Sequence, residues 1–273
     1  MTRTRVIAAL IMAPVAIAGI LLLPTNWLAA AGALVFLTGL WEWLRLAGID
    51  GLPRTILLAL NLLLMVLIVW ADAGNGALYP LAALIGIAGW VLALGWLRFP
   101  AAGSGNSGLG RSLKLLAGSW AVIPAWAAFV LLHMGSDNGP LWLLTALTTV
   151  WAADSGAYFA GRALGKHKLA PTISPNKTWE GLAGGVVAGI VVALGFGLLA
   201  GISAAQLPWL AVVALFTTLF SVEGDLIESL LKRQAGAKDS GTLIPGHGGV
   251  LDRIDGVLAA LPVFVIGKEI AGF

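Results

Sequence analysis

The chain has 273 residues, of which 59% are hydrophobic and only 11% charged, and its mean hydropathy is +0.94. An ordinary soluble domain carries about 25% charged residues, so this composition excludes a soluble enzyme, a disordered chain and a secreted disulfide scaffold. With no cysteine, disulfides, thiol chemistry and thiolate-held metals are excluded too, and the formal charge of +3 matters through its placement rather than its size.

Taken in chain order, apolar runs near the roughly 20 residues that a bilayer requires predict helices at 6–23, 27–46, 55–71, 77–97, 114–133, 139–160, 181–201, 207–231 and 251–271. Helices are expected because a bilayer core demands that every backbone polar group be paired within its own segment. Breakers separate them: Pro24-Thr25-Asn26, Gly51-Leu52-Pro53, Gly74-Asn75-Gly76 and Ser136-Asp137-Asn138-Gly139-Pro140. The first run, after Met-Thr-Arg-Thr-Arg, reads as an uncleaved span.

Lys and Arg collect in alternate gaps: Arg3 and Arg5; Arg45 and Arg54; Arg98, Arg111 and Lys114; Arg162, Lys166, Lys168 and Lys177; Lys232, Arg233, Lys238 and Arg253. Fifteen of the sixteen therefore fall on one side, leaving Lys268, and the positive-inside rule makes that side cytoplasmic. The expected fold is all-α: a polytopic integral membrane protein of about nine transmembrane helices with a cytoplasmic N-terminus. Residues 1–135 form an N-terminal group of about five helices. Residues 136–273 form a catalytic region of about four, with cytoplasmic loops at 162–180 and 232–250.

Several features read as ordinary membrane-protein chemistry. Trp27, Trp41, Trp43, Trp96, Trp142, Trp179 and Trp209 lie near span ends, as interface anchors do. Glu42 reads as interfacial, His133 as incidental, His167 as solvated, and Asp72 and Asp137 as loop carboxylates. The glycine pattern at 103–108 follows a membrane span rather than a strand, so it lacks the context of a dinucleotide site. Gly161-Arg-Ala-Leu-Gly165-Lys166 is one residue short of a P-loop and lacks its Ser/Thr. Gly185-x-x-x-Gly189 and Gly197-x-x-x-Gly201 permit close helix packing.

The last 120 or so residues differ, because ionisable groups there adjoin apolar helices, where a charge is costly and normally functional. At about 100° per residue, Ser221, Asp225, Glu228, Ser229 and Lys232 share one helical arc, with Glu223 nearly opposite. Lys238-Asp239-Ser240-Gly241 leads to Gly246-His247-Gly248-Gly249, a bend that exposes N–H groups beside a helix N-terminus and suits an anion. Asp252 and Asp255, on one face of the last helix, join Asp225 and Glu228 as the hard oxygen donors that Mg²⁺ prefers. Lys232, Arg233, Lys238 and Arg253 surround them. Upstream, Asp154, Tyr158 and Arg162 recur at i, i+4 and i+8, and the following loop offers Lys166, Lys168, Ser174, Lys177 and Thr178 to a polyanion. Together these suggest metal-assisted chemistry on phosphate.

At these residues the sequence resembles the phosphatidate cytidylyltransferase (CDP-diacylglycerol synthase) family. The signature runs from Ser229 to Asp255 as SLLKRQAGAKDSGTLIPGHGGVLDRID. The upstream Asp154, Tyr158, Gly161-Arg162, Gly165-Lys166, Lys168-Leu169, Ser174-Pro175-Asn176-Lys177-Thr178 and Glu180-Gly181 are similar as well, as is Gly224-Asp225 with Glu228-Ser229.

The resemblance implies the reaction CTP + phosphatidate → CDP-diacylglycerol + diphosphate in an integral plasma-membrane protein (the bacterial inner membrane), with its site facing the cytoplasm. It also implies a homodimer and dependence on Mg²⁺, with K⁺ beside it, held by Asp225 and Asp252. Asp225, Lys232, Arg233, Lys238, Asp239, His247, Asp252, Arg253 and Asp255 are the expected catalytic set. Asp154, Tyr158, Arg162, Lys168, Ser174, Lys177, Glu180, Glu228, Ser229, Gly248 and Gly249 are expected to bind substrate. His247 would either protonate pyrophosphate or orient the glycine loop. No nucleic-acid role is expected, since the basic residues follow membrane topology. The competing readings are a related CTP-dependent lipid enzyme, such as a polyprenol kinase or an archaeal-lipid cytidylyltransferase, and an ion-coupled transporter.

Overall fold

The computed structural model describes residues 2–72, 77–104, 108–136, 138–244, 246 and 248–273. Among them run nine α-helices: α1 (Thr2–Leu22), α2 (Thr25–Leu46), α3 (Gly51–Asp72), α4 (Leu78–Arg98), α5 (Gly108–Met134), α6 (Gly139–Leu164), α7 (Trp179–Leu199), α8 (Leu207–Gln234) and α9 (Leu251–Ala271). Each falls on one of the nine apolar runs. Among the described residues, six helices are long and apolar enough to cross a membrane: α2, α3, α4, α5, α7 and α8. The apolar part of α1 within them is the shorter Leu10–Leu22. Polar residues interrupt the other two. In α6 these are Thr145, Thr148, Thr149 and Asp154, and in α9 they are Asp252, Arg253 and Asp255.

Burial explains this difference. From Gly256 to Ile266 every residue of α9 is buried, so α9 is an interior helix packed against α2, α4, α5, α6 and α8. In α3, by contrast, only Asn61, Met65 and Asp72 are buried, and Leu60, Leu62, Leu63, Leu64, Val66 and Trp70 face outward. A helix apolar all round with so little protein against it belongs in lipid. The larger hydrophobic cluster draws on both halves of the chain, from Ile20, Leu40 and Trp126 to Leu143, Leu258 and Phe264. Residues 1–135 and 136–273 thus share a core.

Small residues set the helix spacing. Along the α6–α7 seam a side chain at Gly185 would meet the Ala153 carbonyl at 2.8 Å, and one at Gly156 would press on Ala188 and the Gly184 backbone. Between α8 and α9, a side chain at Gly256 would meet Ser221 Oγ at 2.6 Å. Without an apolar driving force between helices in lipid, such close backbone approach supplies the packing.

Three local features depart from the sequence reading. The loop between α6 and α7 contains an antiparallel hairpin, β1 (Lys168–Ala170) and β2 (Ser174–Thr178), turned at Pro171-Thr172-Ile173. Thr178 ends it and caps α7, accepting from Gly181 N at 3.1 Å. Trp43 and Trp142 are buried rather than interfacial: the Trp43 indole donates to the Lys114 carbonyl at 2.8 Å, and Trp142 stacks on Phe273. Asp72 and His133 are structural. Asp72 accepts from Leu78 N at 2.9 Å, and the His133 ring lies 2.9 Å from Thr25 Oγ1 and 3.0 Å from the Ile20 carbonyl. Asp137 lies outside the described residues.

Candidate active site

The polar face of α8 meets the first turn of α9. A side chain at Gly224 would overlap the Asp255 carbonyl, so the two backbones approach there as closely as glycine permits. Asp225, Glu228 and Asp255 are thereby assembled: each offers a carboxylate oxygen within 4.8 Å of the others. Glu228 is 1% exposed, and its Oε1 has no hydrogen-bond partner among the described residues. Buried acceptors are normally satisfied. An orphaned carboxylate oxygen facing two further carboxylates fits a hard divalent cation, which takes oxygen ligands.

Cations from two directions offset this charge. Lys177, near the end of β2, reaches Asp225 at 2.6 Å, while Ser229 donates to Asp225 Oδ1 at 3.2 Å. Lys232, one turn beyond Glu228, bridges Glu228 at 2.5 Å and Asp252 at 2.7 Å. Arg233 Nε donates to the Ile173 carbonyl at 3.3 Å, tying the turn of the hairpin to α8. The hairpin is thus the device that brings Lys177 to the α8 stripe. Asp154, on α6, lies within electrostatic range of Asp225, Lys177 and Arg253.

Asp252 is held differently. Its Oδ1 faces Lys232, while its Oδ2 accepts from Ser240 N at 2.9 Å and Gly249 N at 2.8 Å and lies 2.9 Å from Ser240 Oγ. One N–H of the glycine loop expected to face an anionic ligand, that of Gly249, therefore faces a carboxylate of the protein itself. The loop bends through Gly246 and Gly248, both at positive φ, and closes on the Ile244 N to Gly248 carbonyl bond at 2.9 Å. A side chain at Gly248 would meet Asp252 Oδ2 at 2.5 Å.

Other expected residues stand farther out. Lys238, Asp239 and Arg253 are exposed. Arg162 donates to the Tyr158 hydroxyl at 3.1 Å on an exposed face, Lys168 opens β1, and Ser174 is half-buried at the start of β2. Glu180 holds the hairpin: one oxygen accepts from Lys166 N and His167 N, and the other lies 2.6 Å from His167 Nδ1. His247 lies outside the described residues.

Glu42 corrects the sequence reading. Expected at an interface, it is 0% exposed and sits under the loop, accepting from Ser240 Oγ at 2.9 Å and from Leu251 N at 2.7 Å. Nothing local in the sequence marks it beyond its place in an apolar helix.

Comparisons with known proteins show which family the chain resembles. A family model described as "Cytidylyltransferase family" matches residues 3–270. A phosphatidate cytidylyltransferase of Pseudomonas aeruginosa is 40% identical over 274 positions, covering 100% of this chain and 99% of its own. One from Haemophilus influenzae is 36% identical over 282 positions, covering 97% of each chain. One from Bacillus subtilis is 48% identical over 138 positions, 49% of each. From the α8 stripe through the glycine loop to α9, the candidate site lies wholly inside the matched range, and the chain belongs to the cytidylyltransferase family.

Proposed function

We propose that this protein catalyses CTP + phosphatidate → CDP-diacylglycerol + diphosphate at the junction of α8, α9 and the β1–β2 hairpin. The observation that carries the reading is the gathering of Asp225, Glu228 and Asp255 beside Lys177 and Lys232, at the basic ends of membrane helices. Relatives named for this activity align along nearly the whole chain.

Both substrates are polyanions, one soluble and one anchored in a leaflet, so the site must be cationic and open to water and lipid. A phosphatidate phosphate oxygen attacks the α-phosphorus of CTP. The new P–O bond forms as the bond from the α-phosphorus to the bridging oxygen breaks, and pyrophosphate departs with that oxygen and the electron pair. The attacking phosphate is already ionised near neutral pH, so no strong general base is required. Positioning and charge stabilisation carry most phosphoryl-transfer catalysis. Lys177, Lys232, Arg233, Lys238 and Arg253 are the side chains assigned to the phosphates. Asp154, Tyr158, Arg162, Lys168 and Ser174 are assigned to the approach from the α6 side.

The carboxylate group fits Mg²⁺, with K⁺ as the second ion implied by the family resemblance. Asp225, Glu228 and Asp255 would hold it, joined by Asp252 through the oxygen that faces Lys232. Bound there, it supplies neutralisation of phosphate charge.

Nine spans with a cytoplasmic N-terminus follow from the alternation of Lys and Arg. In its support, Arg45, Arg98, Arg162 and Lys232 with Arg233 stand in the last turns of α2, α4, α6 and α8. On this reading the site faces the cytoplasm at the plasma membrane, and the family resemblance adds a homodimer.

The test is purified protein in detergent with CTP, Mg²⁺ and phosphatidate, alongside Asp225→Asn and Asp252→Asn. CDP-diacylglycerol and pyrophosphate should form in equal amounts with the native chain and fall at least about 10²-fold in each variant. Unchanged turnover in Asp225→Asn would remove it from the site.

A further inference from the structure

We propose that Glu42, on α2 and far outside the family signature, is a positioning residue for this reaction: its carboxylate locks the glycine loop and the N-terminus of α9 so that Asp252 is presented in one orientation. This rests on the site proposed above.

A carboxylate wholly out of water is costly unless its hydrogen bonds are made. Among the described residues the hydrogen bonds of Glu42 all fall on Oε2 and come from the loop and the first residue of α9, while its buried Oε1 has no partner. Its Oε2 accepts from Ser240 Oγ at 2.9 Å and from Leu251 N at 2.7 Å, the latter one of the N-terminal helix donors that lack a partner within α9. Ser240 Oγ also lies 2.9 Å from Asp252 Oδ2, so one hydroxyl links the two carboxylates. The next residue after Leu251 is Asp252 itself. Arg45, one turn along α2, donates to the Ser240 carbonyl at 2.5 Å. Two residues of α2 thus grip both sides of Ser240.

Shape makes the same point. A side chain at Gly241 would overlap Glu42 Oε1, and one at Gly249 would overlap Glu42 Oε2 and Ser240 Oγ. Neither glycine has a positive φ, so the need for glycine there is steric, and the object that fills the space is the carboxylate from α2. A helix cap alone would not require two glycines closed around it, nor a shared hydroxyl reaching an active-site carboxylate.

The experiment compares the native chain, Glu42→Ala, Glu42→Gln, Gly241→Ala, the double variant Glu42→Ala/Gly241→Ala and Asp252→Asn. Turnover, the KM for CTP and thermal melting in detergent are measured for each. A misplacement near 1 Å costs on the order of 10²-fold. Folded Glu42→Ala should therefore lose about that in kcat, with KM for CTP within about twofold. Glu42→Gln should recover most of it, since its amide oxygen still accepts from Ser240 Oγ and Leu251 N. Gly241→Ala should impair the native chain yet add little in the Glu42→Ala background, where the Gly249 Cα at 3.1 Å is the remaining close contact. Should Glu42→Ala not fold, Glu42→Gln and the Gly241→Ala chain decide: native kcat in Gly241→Ala overturns the proposal. So does native kcat in folded Glu42→Ala while Asp252→Asn is inactive. An active Asp252→Asn instead overturns the site reading on which the proposal stands.

Discussion

Replacing Gly224 with alanine adds one methyl group at the tightest point between α8 and α9. In an exposed helix this change stabilises by about 1 kcal/mol through propensity alone. Here the methyl would overlap the Asp255 backbone carbonyl and lie 3.3 Å from the Ala259 methyl. Backbone atoms of two packed helices cannot rotate aside, so α8 and α9 must separate by roughly 1 Å, and interiors are too closely packed to absorb this elsewhere. The separation falls between Asp225, adjacent to Gly224, and Asp255, whose carbonyl is the obstacle. It therefore widens the carboxylate group itself. A shift of this size costs on the order of 10²-fold in rate, or about 2.7 kcal/mol in activation free energy. The assay is liponucleotide formation in mixed micelles, with melting followed in the same detergent. Gly195→Ala is the control, because a side chain there meets nothing within 4 Å, and it should keep turnover within about twofold. Turnover within threefold of native in Gly224→Ala would refute the claim that this close approach sets the site.

Lys232→Met leaves Glu228 and Asp252 facing each other without their shared cation. With Lys232 only 15% exposed, the chain should lose about 3–5 kcal/mol of stability, read from denaturant or thermal melts in detergent. Chelation with EDTA should stop turnover and added Mg²⁺ restore it, and Glu228→Gln should raise the Mg²⁺ needed for half-maximal rate. An unchanged Mg²⁺ requirement in that variant would remove Glu228 from the ligand group. Glu180→Ala frees the backbone of Lys166 and His167, so trypsin should cut within 166–177 faster than in the native chain. Equal cleavage rates would mean that Glu180 does not hold the hairpin.

The helices were legible because a bilayer fixes how long an apolar run must be, and the breakers between runs are local. The carboxylate stripe was legible too, since Asp225, Glu228 and Lys232 recur at helical spacing and so share a face wherever the helix goes. Long-range packing was not. Glu42 meets Ser240 and Leu251 across 198 and 209 positions, and an isolated acidic residue between two tryptophans carries no sign of this. Trp43 was misread for the same reason: its partner is the Lys114 carbonyl, 71 positions away. The hairpin escaped because β1 and β2 have three and five residues, too few to show alternation, and charged or turn-forming residues fill them. The glycine loop was recognised as rich in N–H donors. That Asp252 would take the Gly249 N–H depended on how the loop folds back over α9.

The central claim is that the nucleotide's α-phosphorus is transferred to a lipid phosphate. Parallel reactions with CTP labelled at the α- or the γ-phosphate, each with phosphatidate and Mg²⁺, test it most directly. α-Label should enter the lipid fraction and γ-label should be released as pyrophosphate. γ-Label in the lipid would mark a kinase, and no label in the lipid from either nucleotide would contradict nucleotidyl transfer altogether.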